Sequence, residues 1–124
     1  MKAILLSIAI CVFMSKAFAQ TESPKEIQAI TVPDFADPGV KTFYQSYADH
    51  LIKCVKAIRE KNEAKTIALF KDPGEQLVTK EKALAKELVK NPAEKQKYMQ
   101  FATQAYPLLK EVQQSGYYKK LYGQ

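Results

Sequence analysis

The residues of this chain whose types and spacing could do metal or nucleophilic chemistry are His50 and Cys54, four positions apart. On a helix that spacing sets both side chains on one side, a turn apart. A transition metal could use both, because imidazole and thiolate are common protein ligands. A structural zinc site takes four ligands, however, and beyond Cys11 the chain has no further Cys or His to complete one. Asp49 could supply a carboxylate, but it points well away from Cys54 around the helix. Nucleophilic catalysis would require an exposed thiol of lowered pKa, whereas the apolar periodicity puts Cys54 in mid-stripe and His50 at its edge. Haem attachment through CxxCH has no match here. The expected reading is a buried thiol beside a boundary histidine, with His50 and Cys54 kept only as weak metal candidates. No catalytic or cofactor-binding residue is assigned.

A second candidate is the tripeptide DPG, present at Asp37 to Gly39 and at Asp72 to Gly74, with the related NPAE beginning at Asn91. A phosphate loop would need a preceding buried strand and several glycines, or the lysine and hydroxyl of GxxxxGK[ST]. Neither copy has them. As helix starts the same residues make sense: Asp or Asn caps the first amides, and proline loses nothing at the first helical position. Asp72 and Asn91 each have a glutamate three residues on, Glu75 and Glu94, to complete a capping box. Other acidic residues lie in mixtures such as REKNEAK and TKEKALAKE, which read as solvated helix faces and not as paired carboxylates for glycoside hydrolysis.

Lys82, Lys86 and Lys90 form a four-residue ladder on a helix face, interrupted by Glu75 and Glu87. With Tyr117, Tyr118, Lys119, Lys120 and Tyr122 they make a candidate binding surface for an anionic partner, tyrosines beside lysines being suited to stacking. The chain carries nineteen basic and thirteen acidic residues. Such an excess supports solubility and weak attraction to anionic surfaces.

Residues 1–19 read as a signal peptide: Lys2, an apolar run from Ala3 to Met14, then Ala17, Phe18 and Ala19 as the cleavage signal. Ile10 before Cys11 does not fit lipoprotein processing. Cleavage after Ala19 would give a secreted or periplasmic protein with no transmembrane segment, and export argues against nucleic acid as the partner. The mature chain would hold a single cysteine, so no internal disulfide can staple it and an apolar core must hold the fold.

The remainder divides into an extended arm over 20–36, a helical domain over 37–116 and an aromatic, basic tail over 117–124. Val40, Phe43, Tyr44, Tyr47, Leu51, Cys54, Val55 and Ile58 recur at three- and four-residue steps and predict a helix over about 38–61. Asn62 is a break and an N-cap. A second stripe, Ile67, Phe70, Leu77, Leu84 and Leu88, keeps phase across Pro73, so a helix kinked or split there is expected over about 63–90. A third begins at Pro92 and buries Tyr98, Phe101, Ala102, Ala105, Leu109 and Val112, with a bend at Pro107 and Gly116 as its C-cap. In the arm, Ile27, Ile30, Val32 and Phe35 are expected to pack across the bundle. The fold class is all-α, an antiparallel bundle of three long helices, or four if the second is split.

The run PDFADPGVKTFYQSYADHL, the lysine-rich helices and the turn NPAEKQKYMQFA resemble small exported helical proteins of Bacteroidota-type bacteria that have no assigned activity. The resemblance spans Val32 to about Leu109. It implies long helices and an exported home, and transfers no catalytic residue. A looser likeness is to periplasmic envelope-stress chaperones, whose LTxxQ motifs are missing. The expected role is therefore that of a non-enzymatic, exported bundle binding a protein or anionic envelope component. The alternative is a module that holds a small apolar or metal ligand inside the bundle near Tyr47, His50 and Cys54. A homodimer through the aromatic tail or a long helical face is a further expectation.

Overall fold

The helices that begin at Pro38, Glu63 and Pro92 each start where Asp or Asn precedes proline or a charged first turn, and the chain between starts is amphipathic. The computed structural model describes residues 27–123. The leader, the first part of the arm and Gln124 lie outside the described residues. Five helices follow in order: α1 (Pro38–Arg59), α2 (Glu63–Leu69), α3 (Glu75–Leu88), α4 (Pro92–Gln114) and α5 (Gly116–Tyr122), with Phe70–Gly74 a wide turn joining α2 to α3. The all-α bundle is as expected, and among the described residues there is no strand. No helix among them is long and apolar enough to cross a membrane.

Asp37 caps α1, its carboxylate accepting from the Gly39 amide at 2.8 Å. Asn62 caps α2 through the Lys65 amide, and Asn91 caps α4 through the amides of Ala93 and Glu94. Between α1 and α2 the chain reverses with Lys61 in the left-handed region, at φ 58°. The expected capping box at Asn91 is only half present. Glu94 turns toward the arm, accepts a hydrogen bond from the Ala36 amide at 3.1 Å and pairs with Lys97, so it fastens the arm and not its own helix start.

Asp72 departs from the reading as an N-cap. Its backbone is extended, at φ −147° and ψ 114°, and no side-chain cap bond is made where α3 begins. Proline forces the residue before it out of helical geometry and has no amide to donate, so the chain bends at Asp72 and Pro73. The bend keeps its phase: Thr66, Phe70, Gly74, Glu81, Ala85 and Leu88 are the buried positions on this limb. Leu77 and Leu84 flank that face half-buried, with small or polar residues at its centre. Pro107 lies within α4, which runs on to Gln114.

The limb formed by α2, the bend and α3 runs antiparallel to α1 and α4, which are parallel to each other. Tyr44 of α1 packs on Tyr98 and Phe101 of α4, with ring centroids 6.1 and 4.8 Å apart. At the far end, Arg59 makes two 2.8 Å hydrogen bonds to the carboxylate of Glu111. The arm packs as expected: Phe35 is buried and stacks on Tyr44 at 5.3 Å, while Ile27, Ile30 and Val32 lie half-buried against the core. Gln104 holds the arm with its side-chain amide, accepting from the Thr31 amide and donating to the Thr31 carbonyl, both at 2.8 Å.

The core is centred on a carboxylate. Glu81 of α3 is 2 % exposed, and its Oε2 accepts hydrogen bonds from the hydroxyls of Tyr44 at 3.2 Å and Tyr98 at 3.0 Å. Burial, followed by the charge of Glu81, drives the Tyr44 hydroxyl far above the ordinary tyrosine value, so it stays protonated and donates. Hydrogen bonds to a charged partner contribute about 1.5–3 kcal/mol each. Tyr44→Phe and Tyr98→Phe are each expected to lower the unfolding free energy by roughly that amount, and Glu81→Ala by about 3 kcal/mol or more, since it strands two buried hydroxyls. Urea denaturation of the three variants checks this; a change under about 0.5 kcal/mol for Glu81→Ala would show that the carboxylate does not hold the helices together.

Candidate functional site

A helix stripe serves its neighbours along its whole length, and the lower half of the α1 stripe has less to pack against than the upper half. Beyond Tyr47 the stripe continues with His50, Leu51 and Cys54, all buried. These residues wall a cavity of about 50 Å³ that is otherwise bounded by Phe70 and Gly74 of the bend, Val78 of α3, Leu109, Val112 and Gln113 of α4, and Tyr118 and Tyr122 of α5.

His50 and Cys54 do meet: Nε2 of the imidazole lies 3.3 Å from the thiol Sγ. Their electrostatics are the reverse of a catalytic pair. Burial pushes the Cys54 thiol up to about 12. Burial, and behind it the charge of Lys53, holds the imidazole below the ordinary histidine value. Both groups are therefore kept neutral, whereas a nucleophilic thiolate needs a lowered pKa and a cationic neighbour. Among the described residues no three of His, Cys, Asp and Glu converge where a metal ion could sit. The spacing reading thus located two adjacent residues of one cavity wall but not a reactive pair.

Gly74 acquires a role that the helix-start reading did not give it. A Cβ added there would lie 2.6 Å from the Leu69 carbonyl oxygen and 3.2 Å from Nε2 of His50. Only glycine fits here, because the bend folds tightly on the Leu69 carbonyl of its own limb while lying close to the His50 side chain of α1.

The aromatic end of the chain is a helix and not a tail, and Gly116 opens it instead of capping α4. Ser115 makes the join: its hydroxyl donates to the Val112 carbonyl at 2.7 Å and accepts from the Tyr118 amide at 3.2 Å. Tyr118 points inward, 3 % exposed, with its ring 6.1 Å from that of Phe70 and 5.0 Å from that of Tyr122. The Tyr122 hydroxyl donates to Glu75 Oε2 at 2.9 Å, and Lys120 pairs with Glu63. A seven-residue helix has little stability of its own in water, so these contacts are what hold α5 in place.

The surface set drawn from the sequence is accordingly dispersed. Tyr118 is buried, Tyr117, Tyr122 and Lys82 are half-buried, Lys90 pairs with Glu87, and Lys86 and Lys119 are exposed. Among the described residues the buried Tyr118 hydroxyl has no hydrogen-bond partner. Burial pushes that hydroxyl up to about 12. It is the residue that sequence reasoning missed as part of a pocket; the signal was Tyr118 recurring three and four residues from Ser115 and Tyr122, a helical spacing read as a tail. Comparison with protein-family models, curated proteins and solved structures found no match.

Two outcomes are expected. Gly74→Ala should destabilise the fold by about 1–3 kcal/mol in chemical denaturation, as overpacking against backbone does; a neutral effect would mean that the bend is not closed tightly on the Leu69 carbonyl. His50 is the single histidine, so stability near neutrality should report its titration. As pH falls the unfolded chain takes up the proton first, so the stability due to neutral His50 is complete above the unfolded value near 6.5 and is lost below it as pH falls toward the depressed folded value. Unfolding free energy should fall between about pH 7.5 and 5.5, and His50→Gln should flatten that slope.

Proposed function

We propose that this chain is an exported, non-enzymatic helical bundle that acts by binding, and that a small, mostly apolar molecule occupies the cavity between α1, the bend, α4 and α5. The observation that carries the reading is the cavity itself, about 50 Å³ walled almost wholly by apolar side chains of α1, the bend, α3, α4 and α5. Small-molecule sites have this composition, apolar walls with few polar groups placed to orient what binds. The neutral state of His50 and Cys54 supports binding over turnover. Export rests on the leader composition of residues 1–19.

Binding of a protein or anionic envelope component at the lysines is the other reading of the sequence. The engagement of Lys90 by Glu87 and Lys120 by Glu63, with Tyr118 turned inward, favours the cavity instead.

Native mass spectrometry of the protein purified without denaturation from its own source tests the reading. A bound species is expected in the unaltered chain, and Val78→Phe, which projects a ring into the cavity, should remove it while changing stability by less than about 2 kcal/mol. Absence of any bound species, together with no response of the Val78, Leu109 and Val112 methyl resonances to small apolar probes, would sink the proposal.

A further inference from the structure

Seven residues make too few turns to persist as an isolated helix, so α5 keeps its place through the side chains that tie it to the rest of the bundle. Its join to α4 is a single residue. Ser115 has extended backbone, at φ −69° and ψ 148°, and it ends one helical ladder and starts the next. Rotation about Ser115 therefore swings α5 as a unit and leaves the interior of both helices unchanged.

Two of the ties lie at the surface. The Tyr122 hydroxyl donates to Glu75 Oε2 at 2.9 Å, and Lys120 pairs with Glu63. Exposed polar contacts compete with water and each contributes little. The third tie is apolar: Tyr118 is the buried residue of α5, and its ring stands 6.1 Å from that of Phe70. Lifting α5 uncovers one buried ring, whereas unfolding uncovers the whole core. Opening is thus the less costly event.

Behind α5 lies the nucleophile that the bundle keeps covered. Tyr118 and Tyr122 share the cavity wall with His50 and Cys54, and Cys54 is a free thiol only 2 % exposed. Burial raises the Tyr122 hydroxyl most, Glu75 next, and the charges of Tyr118 and Cys54 last, so α5 comes within electrostatic range of the thiol. We propose that α5 is a hinged lid, which swings about Ser115 while the rest of the bundle stays folded, with the Tyr122 to Glu75 hydrogen bond as its latch, and that its opening uncovers the Cys54 thiol beside His50. The lid does not depend on what the cavity holds.

The test is disulfide exchange on the folded protein with 4,4′-dithiodipyridine, following the peptide that contains Cys54 by mass spectrometry. The Cys54 thiolate attacks one sulfur of the reagent, a new S–S bond forms as the reagent's own S–S bond breaks, and the thiol proton ends on the released 4-thiopyridone. Where reclosing outpaces labelling, the rate follows the opening equilibrium. Tyr122→Phe keeps the ring and removes the latch, so labelling should become about three- to tenfold faster, the equivalent of one hydrogen bond. Tyr44→Phe acts in the Glu81 cluster, away from the lid, and should change labelling by less than about twofold although it lowers global stability. Urea below the unfolding transition should raise the rate only shallowly, because a lid exposes little surface.

Equal labelling of Tyr122→Phe and the parent protein would overturn the lid, since the reagent would then reach Cys54 through the standing mouth of the cavity. Acceleration by Tyr44→Phe in proportion to its loss of global stability, with a urea dependence as steep as that of unfolding, would also overturn it, because Cys54 would then be uncovered only when the whole fold opens. Either result leaves the cavity available to a ligand.

Discussion

The fold depends on how three helices share one buried carboxylate. Transfer of a carboxyl group out of water is costly, and it is tolerated where hydrogen bonds replace the lost hydration. Glu81 gains its partners from two different helices, Tyr44 on α1 and Tyr98 on α4. Apolar contacts alone would let α3 slide or rotate by a fraction of a turn at little expense. A carboxylate that must reach two hydroxyls cannot follow such a slide, so the polar cluster fixes register while the aromatic rings around it provide the bulk of the burial.

That arrangement divides the bundle into two unequal ends. Above Glu81 the space between helices is filled by Phe35, Phe43, Tyr44, Tyr98 and Phe101, large rings in mutual contact. Below it, Tyr47 is the last ring of that cluster on α1, 6.2 Å from Phe101, and also the first wall of the cavity. From there the stripe on α1 narrows to His50, Leu51 and Cys54. A single helical face therefore serves as core at one end and as cavity wall at the other, the difference being the size of the side chains it presents.

Helix positions were readable from the chain because punctuation and periodicity agree there. Asp37 with Pro38, Asn62, and Asn91 with Pro92 mark starts that the structure keeps within a residue or two, and the stripe on α1 is the buried face. The features that escaped are those where a local rule has two physical solutions. Glu81 belongs to a lysine-rich stretch that reads as solvated, yet it falls four residues after Leu77 and three before Leu84, in phase with the apolar stripe; only the hydroxyls brought by α1 and α4 make that position habitable for a carboxylate. Glu94 stands at the correct distance to close a capping box, but the arm presents an amide that competes for it. Gly116 suits a helix end, and Ser115 beside it suits a helix start; the serine takes both tasks and a further helix follows. Sequence spacing states what each residue can do locally, and long-range partners select among those options.

The site follows from the bend more than from any chemical motif. Had α2 and α3 formed one straight helix, its side chains could have lain along α1 throughout. Pro73 removes a backbone donor and drives Asp72 into extended geometry, and Gly74 then brings bare backbone against His50 where a side chain would otherwise stand. Side-chain volume is missing at that level of the bundle, and α5 returns over the gap to cover it with Tyr118 and Tyr122. Tyrosine is a poor choice for plain filling, because its hydroxyl must find a partner when buried. Tyr122 finds one in Glu75, and among the described residues Tyr118 does not. Phenylalanine at position 118 would cover the same gap without that penalty, so the hydroxyl is the part of the lid that the fold itself does not use.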